Sequence, residues 1–250
     1  MPIFGTLDIG PILEGAPRMS GLDGDPWEIK GVDILQLTFE IDDGNMTELL
    51  PQALHPTIPP IAIFSVARFP DSPVGPFHLA QVRIGCRAGV RPRGYLLMAY
   101  SDSEEAGTAL GNRWGYTCRH ADVRLHQYHD RITANVTAGG AEILHASLVG
   151  PEPISGADIQ YVANMNLARL PGEDGNKAVL VQVDPEYRFH RAQRGRPEIT
   201  VFTPAAWFAE GVDLVYPVVA SFAQADTGFP RIRYVLNPDV PALQGTRKLG

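Results

Sequence analysis

The sequence predicts a mainly β protein of the α+β type with a few short helices, and three observations predict it. The 25 glycines and 22 prolines among 250 residues fall between short apolar runs, a spacing that suits many strands and turns better than long helices. The clearest stretches alternate apolar and polar residues with a period of two, as half-buried strands do. Only one segment carries a full helix signature, with a capping serine and acidic residues in its first turn.

Along the chain, residues 1–26 are rich in Gly, Pro and Asp and lack periodicity. They read as an extended arm laid over the domain or a neighbouring subunit. "WEIKGVDILQLTFEID" (27–42) alternates as a strand, with Ile34, Gln36 and Thr38 on one face and Leu35, Leu37 and Phe39 on the other. "DGNMTELLPQAL" (43–54) predicts a short helix capped by Asn45 or Asp43 and ended by Pro51. Strands follow at 60–69, 77–87 and 94–100, then the helix at 101–115, with Ser101 or Ser103 as its cap. Further strands are expected at 120–128, 131–137, 141–148, 178–184, 186–193, 198–203 and 229–236. Residues 155–178 read as a crossover with a loop tip at 172–176, and 217–228 as a short helix mixed with a strand. No linker or repeat divides the chain, so one domain over 1–250 is expected.

Composition excludes several classes of function. The formal net charge is −7 with no long basic cluster, so neither nucleic acid nor an anionic membrane is an expected partner. The longest apolar runs, such as "PPIAIFSVA" and "LVYPVVASFA", are too short to span a bilayer as a helix. The N-terminus shows no basic segment leading into an apolar one, so no export signal is read. The only cysteines are Cys86 and Cys118, which suits a reduced, cytoplasmic protein rather than a disulfide scaffold. His120, His126 and His129 have no zinc-enzyme spacing, and neither a phosphate loop nor a nucleophile elbow is present. No metal and no cofactor is expected.

Four stretches in order resemble the acetoacetate decarboxylase-like superfamily: "FEID…LLPQALHP", "VARFPDSPVGPFHLAQVRI", "GYLLMAYSDSEEAGTALGNRWGYTCR" and "YPVVASFAQADTGFP". Together they span about residues 27–236. The resemblance implies large curled antiparallel sheets forming a β barrel around a central pocket, and a homo-oligomer. It also implies a lysine at the position of Cys118, forming a Schiff base with a ketone, and a second lysine at Arg119 that depresses the pKa of the first. The family's glutamate and first-strand arginine correspond to Leu79 and Val32. A thiol cannot form an iminium ion, so the family's usual chemistry is not expected here.

What remains in the pocket defines the expected site. Arg119, Tyr116 and Cys118 are the candidate catalytic residues, and Arg68, Leu79, Gln81 and Tyr100 the substrate-binding ones. Arg119 would hold a carboxylate or enolate in bidentate fashion. Cys118 is either a thiolate favoured by Arg119 and His120 or an inert residue that leaves space. His78, next to Leu79, should point away from the pocket. Lys30 lies two residues before Val32 and would share its face in a regular strand; Lys177 and Lys248 belong to a loop tip and the tail. Two functions follow. One is an enzyme of lyase, dehydratase, isomerase or cyclase type acting on a small carbonyl or enol compound by non-covalent acid–base and oxyanion catalysis. The other is a non-catalytic small-molecule binding protein that has kept the pocket and lost the chemistry.

Overall fold

Alternation in the sequence becomes strand almost everywhere it is clear. The computed structural model describes residues 3–44, 46–172 and 175–249. Its strands are β1 (Trp27–Ile41), β2 (His55–Pro56), β3 (Ile61–Phe69), β4 (Phe77–Ala88) and β5 (Arg91–Ser101). They continue as β6 (Cys118–His120), β7 (Asp122–Gln127), β8 (Arg131–Ala138), β9 (Ala141–Pro153) and β10 (Asn164–Gly172). The last are β11 (Gly175–Val183), β12 (Arg188–Phe202), β13 (Leu214–Phe229), β14 (Tyr234–Leu236) and β15 (Thr246–Lys248). The α-helices are α1 (Gly10–Leu13), α2 (Glu104–Trp114) and α3 (Ala242–Gly245).

All fifteen strands join one mixed sheet, ordered β15-β14-β11-β10-β5-β4-β3-β1-β13-β12-β9-β8-β7, with β2 on β4 and β6 on β5. β6 and β10 run parallel to β5, and the other strand pairs are antiparallel. The expected barrel is not formed. β15 and β7 lie at opposite ends of the strand order and do not pair, so the sheet stays open. β1 at its centre is buried along most of its length, and its two faces feed two cores. Leu35, Leu37 and Phe39 join one core with Phe64, Phe222 and Trp207. Val32 and Ile34 join the other with Trp27, Trp114 and Phe229.

Four segments depart from the sequence expectation. Residues 46–50 form turns, not a helix. Pro51 has no N–H to return to Thr47, and the arm takes the freed carbonyls: Thr6 donates to Thr47 at 2.6 Å and Leu7 to Leu50 at 3.0 Å. Asp43 accepts only a turn bond from Met46, and Asn45 lies outside the described residues. The expected crossover is instead β10, which forms a hairpin with β11 through Gly172↔Gly175; Glu173 and Asp174 of its loop tip lie outside the described residues. Residues 217–228 belong wholly to strand β13, which pairs with β1 and β12. The two strands expected at 186–193 and 198–203 are one, β12.

Helix α2 forms as its sequence requires. The Ser103 hydroxyl accepts from the Ala106 N–H at 3.2 Å, with Glu104 and Glu105 in the first turn. Gly115 ends it in the left-handed conformation at φ +70°, returning its N–H to Gly111. The chain then drops straight into β6. This link fixes residues 116–120 beside β5.

The arm packs on its own chain. Met19 donates to Arg169 O at 2.9 Å and Ser20 to Asn112 O at 3.0 Å, and Ala16 and Met19 are buried.

Candidate functional site: an outer pocket and an inner chamber

The residues expected around one pocket divide between two. The outer pocket, about 650 Å³, lies between the arm (residues 7–18), helix α2, β5 and β6. Cys118, Arg119 and His120 of β6 line it, with Glu104 from α2 and Arg18 from the arm. Its size suits a small metabolite. The inner chamber, about 60 Å³, lies on the face shared by β1, β3, β4 and β13, where Leu79 and Gln81 line it. Tyr116 borders both.

Arg68 and Tyr100 line neither cavity. Asp33, the cross-strand neighbour of Arg68, is buried and accepts from Arg68 Nε at 3.0 Å, which holds the guanidinium at the sheet surface. Tyr100 points to the opposite core from Leu79, because it sits one residue out of phase across β4–β5. Its hydroxyl donates to Ala206 O at 2.7 Å and its ring meets Trp207 edge-on at 4.8 Å. His78 also lines neither cavity; its Nδ1 lies 2.7 Å from Asp102 Oδ2.

Arg119 is exposed at the outer pocket. Its guanidinium carbon stands 5.0 Å from the centre of the Phe208 ring, a cation–π placement. Phe208 holds φ +52° at the end of the turn Pro204–Trp207. Arg119 also touches the Tyr100 hydroxyl. Burial raises that phenol's pKa and Arg119 opposes the rise.

The Cys118 thiol is half-buried at the wall of the outer pocket. Burial pushes its pKa up to about 12, and neither Arg119 nor His120 offsets the desolvation, contrary to the expectation of a favoured thiolate. At neutral pH it is a neutral wall. Iodoacetamide labelling should therefore be slow at pH 7–9 and rise only above about pH 11, measured by mass spectrometry against a small-molecule thiol. Rapid labelling at pH 7 would show a lower pKa and restore the nucleophile.

None of the three lysines is buried. Lys30, Lys177 and Lys248 are all exposed. Lys30 does not share the face of Val32, because Gly31 adopts φ +65° inside a register shift between Ile29 and Val32. The bulge turns Lys30 to solvent while Val32 stays in the core. Among the described residues, no group of three or more His, Cys, Asp and Glu could hold a metal ion, and no helix is long and apolar enough to cross a membrane.

Sequence reasoning passed over Arg83. This side chain is buried on β4 and lines the inner chamber. The signal was present: Leu79, Gln81 and Arg83 alternate on one strand face. Asn164, which bridges Arg83, Gln81 and Tyr116, was hidden in the segment read as a crossover.

The fold is thus an open mixed sheet with a pocket along one side of α2. The family model described as acetoacetate decarboxylase (ADC) matches residues 15–234, and the chain belongs to that family. Among solved structures it is similar to the acetoacetate decarboxylase of Legionella pneumophila, with a TM-score of 0.73, 17% identity, and 91% of this chain and 96% of that one covered. The enduracididine biosynthesis enzyme MppR, complexed with the condensation product of pyruvate and imidazole 4-carboxaldehyde, gives 0.67 at 14% identity, with 93% and 96% covered. An acetoacetate decarboxylase-like enzyme of Sphingomonas wittichii gives 0.64 at 18% identity, with 84% and 94% covered. No curated protein matches the sequence.

Proposed function

We propose that this chain is a small-molecule enzyme of lyase, dehydratase or cyclase type, acting on an anionic carbonyl or enol compound without a covalent amine intermediate. The observation that supports this reading is Arg119. It presents a fixed cation at a 650 Å³ pocket, directly after the thiol that stands where the resemblance implies an amine. No lysine lines that pocket among the described residues. Arg119 would anchor the carboxylate or enolate oxygen and stabilise charge as it develops. His120 and Glu104 line the same pocket and are the residue types most used to move protons. Cys118 supplies space. Tyr116 is a weaker proton carrier than its position suggests, because burial drives its pKa far above the usual phenol range.

A specific observation favours a binding role for the inner chamber. Among the described residues that line it there is no carboxylate, lysine or histidine, so it offers no general base. Catalysis therefore belongs to the outer pocket.

The test is a panel of β-keto acids, 2-oxo acids, enols and aromatic lactones, each incubated with the protein and followed by proton NMR. Conversion of at least one, lost on Arg119→Leu, is the expected result. Binding without conversion across the panel would make the chain a binding protein.

A further inference from the structure

We propose that the outer pocket takes a medium-chain acid, with its charged head at Arg119 and an apolar tail lying along α2 beneath the N-terminal arm. The charged end rests on the anion contact at Arg119 proposed above; the tail is the new element.

Helix α2 sets the direction of the slot. Glu104, Gly107, Thr108 and Gly111 line it, and their i, i+3, i+4, i+7 spacing puts them on one face of the helix. Glycine is unfavourable in a helix interior, and the two here allow close contacts at either end. A Cβ at Gly107 would stand 3.3 Å from Cys118 Sγ, and one at Gly111 would stand 3.3 Å from Pro17 Cβ. The first contact seats the helix on β6 and the second seats it under the arm. From Glu104 to Gly111 the helix rises about 10 Å, the reach of an extended chain of roughly eight carbons.

The two ends of the slot differ in chemistry. Arg119 and His120 pair with Tyr100 and Ser101 in the parallel β5–β6 register, just before the first turn of α2. They share that end with Ser103 and Glu104. The other end is walled by Ala16 and Pro17 of the arm, Leu167 of β10 and Leu97 of β5. Leu97 is the extra residue of a bulge, since Arg83 pairs with Leu96 and Val82 with Met98. The bulge takes Leu97 out of the ladder and aims it at the pocket. Leu7 and Ile12 of the arm line the same pocket, and like Leu97 they stay half-exposed. The cation at this end, Arg18, is exposed. A small keto acid anchored at Arg119 would leave this apolar wall in water. A tail that covers it gains the free energy of that burial.

Titration calorimetry of the full chain with butanoate, hexanoate and octanoate, at fixed ionic strength, reads the tail directly. One site per chain is expected, with affinity rising about three- to fourfold per added methylene. Octanedioate should bind at least about tenfold more weakly than octanoate, because its second carboxylate would enter the apolar end. Leu97→Gln should keep a cooperative melt, weaken octanoate by about tenfold and leave butanoate unchanged. Ile12→Gln should do the same from the arm, without touching the sheet. Absent octanoate binding or a flat chain-length series would overturn the proposal. So would octanedioate binding as tightly as octanoate, which would give Arg18 the second charge, or undiminished octanoate binding in both variants. If Leu97→Gln does not fold, Ile12→Gln alone decides. Arg119→Leu separates the two readings: it should weaken all three acids alike and keep the rise per methylene. A rise that persists with no weakening keeps the tail site and removes the anion contact, whereas a flat series that Arg119→Leu still weakens keeps the anion contact and removes the tail.

Discussion

Replacing Trp207 by alanine is expected to destabilise the protein by about 3–5 kcal/mol, the range for removing a large buried aromatic. Trp207 has no exposed surface. Its indole N–H donates to Ile143 O at 3.2 Å, and its ring packs edge-on against Tyr100 at 4.8 Å. The substitution therefore opens a cavity and removes one of two donors to the Ile143 carbonyl, which keeps the Thr203 N–H at 3.1 Å. In a chain of this length the loss should lower Tm by roughly 10 °C. Trp207 also ends the turn that presents Phe208 under Arg119. Trp207→Phe should recover much of the packing but not the indole hydrogen bond. A melt of Trp207→Ala within 2 °C of wild type (less than about 1 kcal/mol) would show that the wall behind the outer pocket collapses without cost.

Arg119→Leu is expected to weaken binding of an anionic ligand by about 10–100-fold while leaving the melt nearly unchanged, since a hydrogen bond to a charged group is worth roughly 1.5–3 kcal/mol. The side chain is exposed and its contacts are to Phe208 and the Tyr100 hydroxyl, so the fold does not depend on it. Arg119→Lys should recover only part of the affinity. An ammonium keeps the charge but cannot offer the planar fork. Ligand affinity by titration calorimetry, beside a melting curve for each variant, reads both effects. Equal affinity in Arg119→Leu and wild type would place the working anion contact elsewhere.

Most of the fold was legible because alternation is strong wherever one strand face is markedly more apolar. β3, β4 and β5 fall within a few residues of their expected limits. Legibility failed where tertiary partners override local signals. The 43–54 segment reads as a helix, yet its carbonyls are claimed by the arm some forty residues earlier. β13 carries Ala220, Ala223 and Ala225, small residues that suit close packing in the sheet centre but also suit a helix. β10 begins with Asn164, a polar residue that sits in the interior because Gln81, Arg83 and Tyr116 satisfy it, and with Asn166, whose amide donates to the Trp114 carbonyl. The site was partly legible. Cys118 and Arg119 were placed together at a pocket, and Leu79 and Gln81 on one face, but no sequence signal showed that these pairs serve different cavities. That division depends on where β6 lies against β5, which only the Ala99↔Cys118 register fixes.

Under the proposed function, this family member works without an amine at the reacting centre. This is tested most directly by borohydride trapping, which reduces any imine to a stable amine and adds the ligand's mass to the chain. With acetoacetate or pyruvate followed by borohydride, the intact mass should stay unchanged, because Lys30, Lys177 and Lys248 all lie at the surface, away from both cavities. A stoichiometric adduct mapped to one of these lysines, with Lys30 the first to inspect, would contradict the account and return the chain to Schiff-base chemistry.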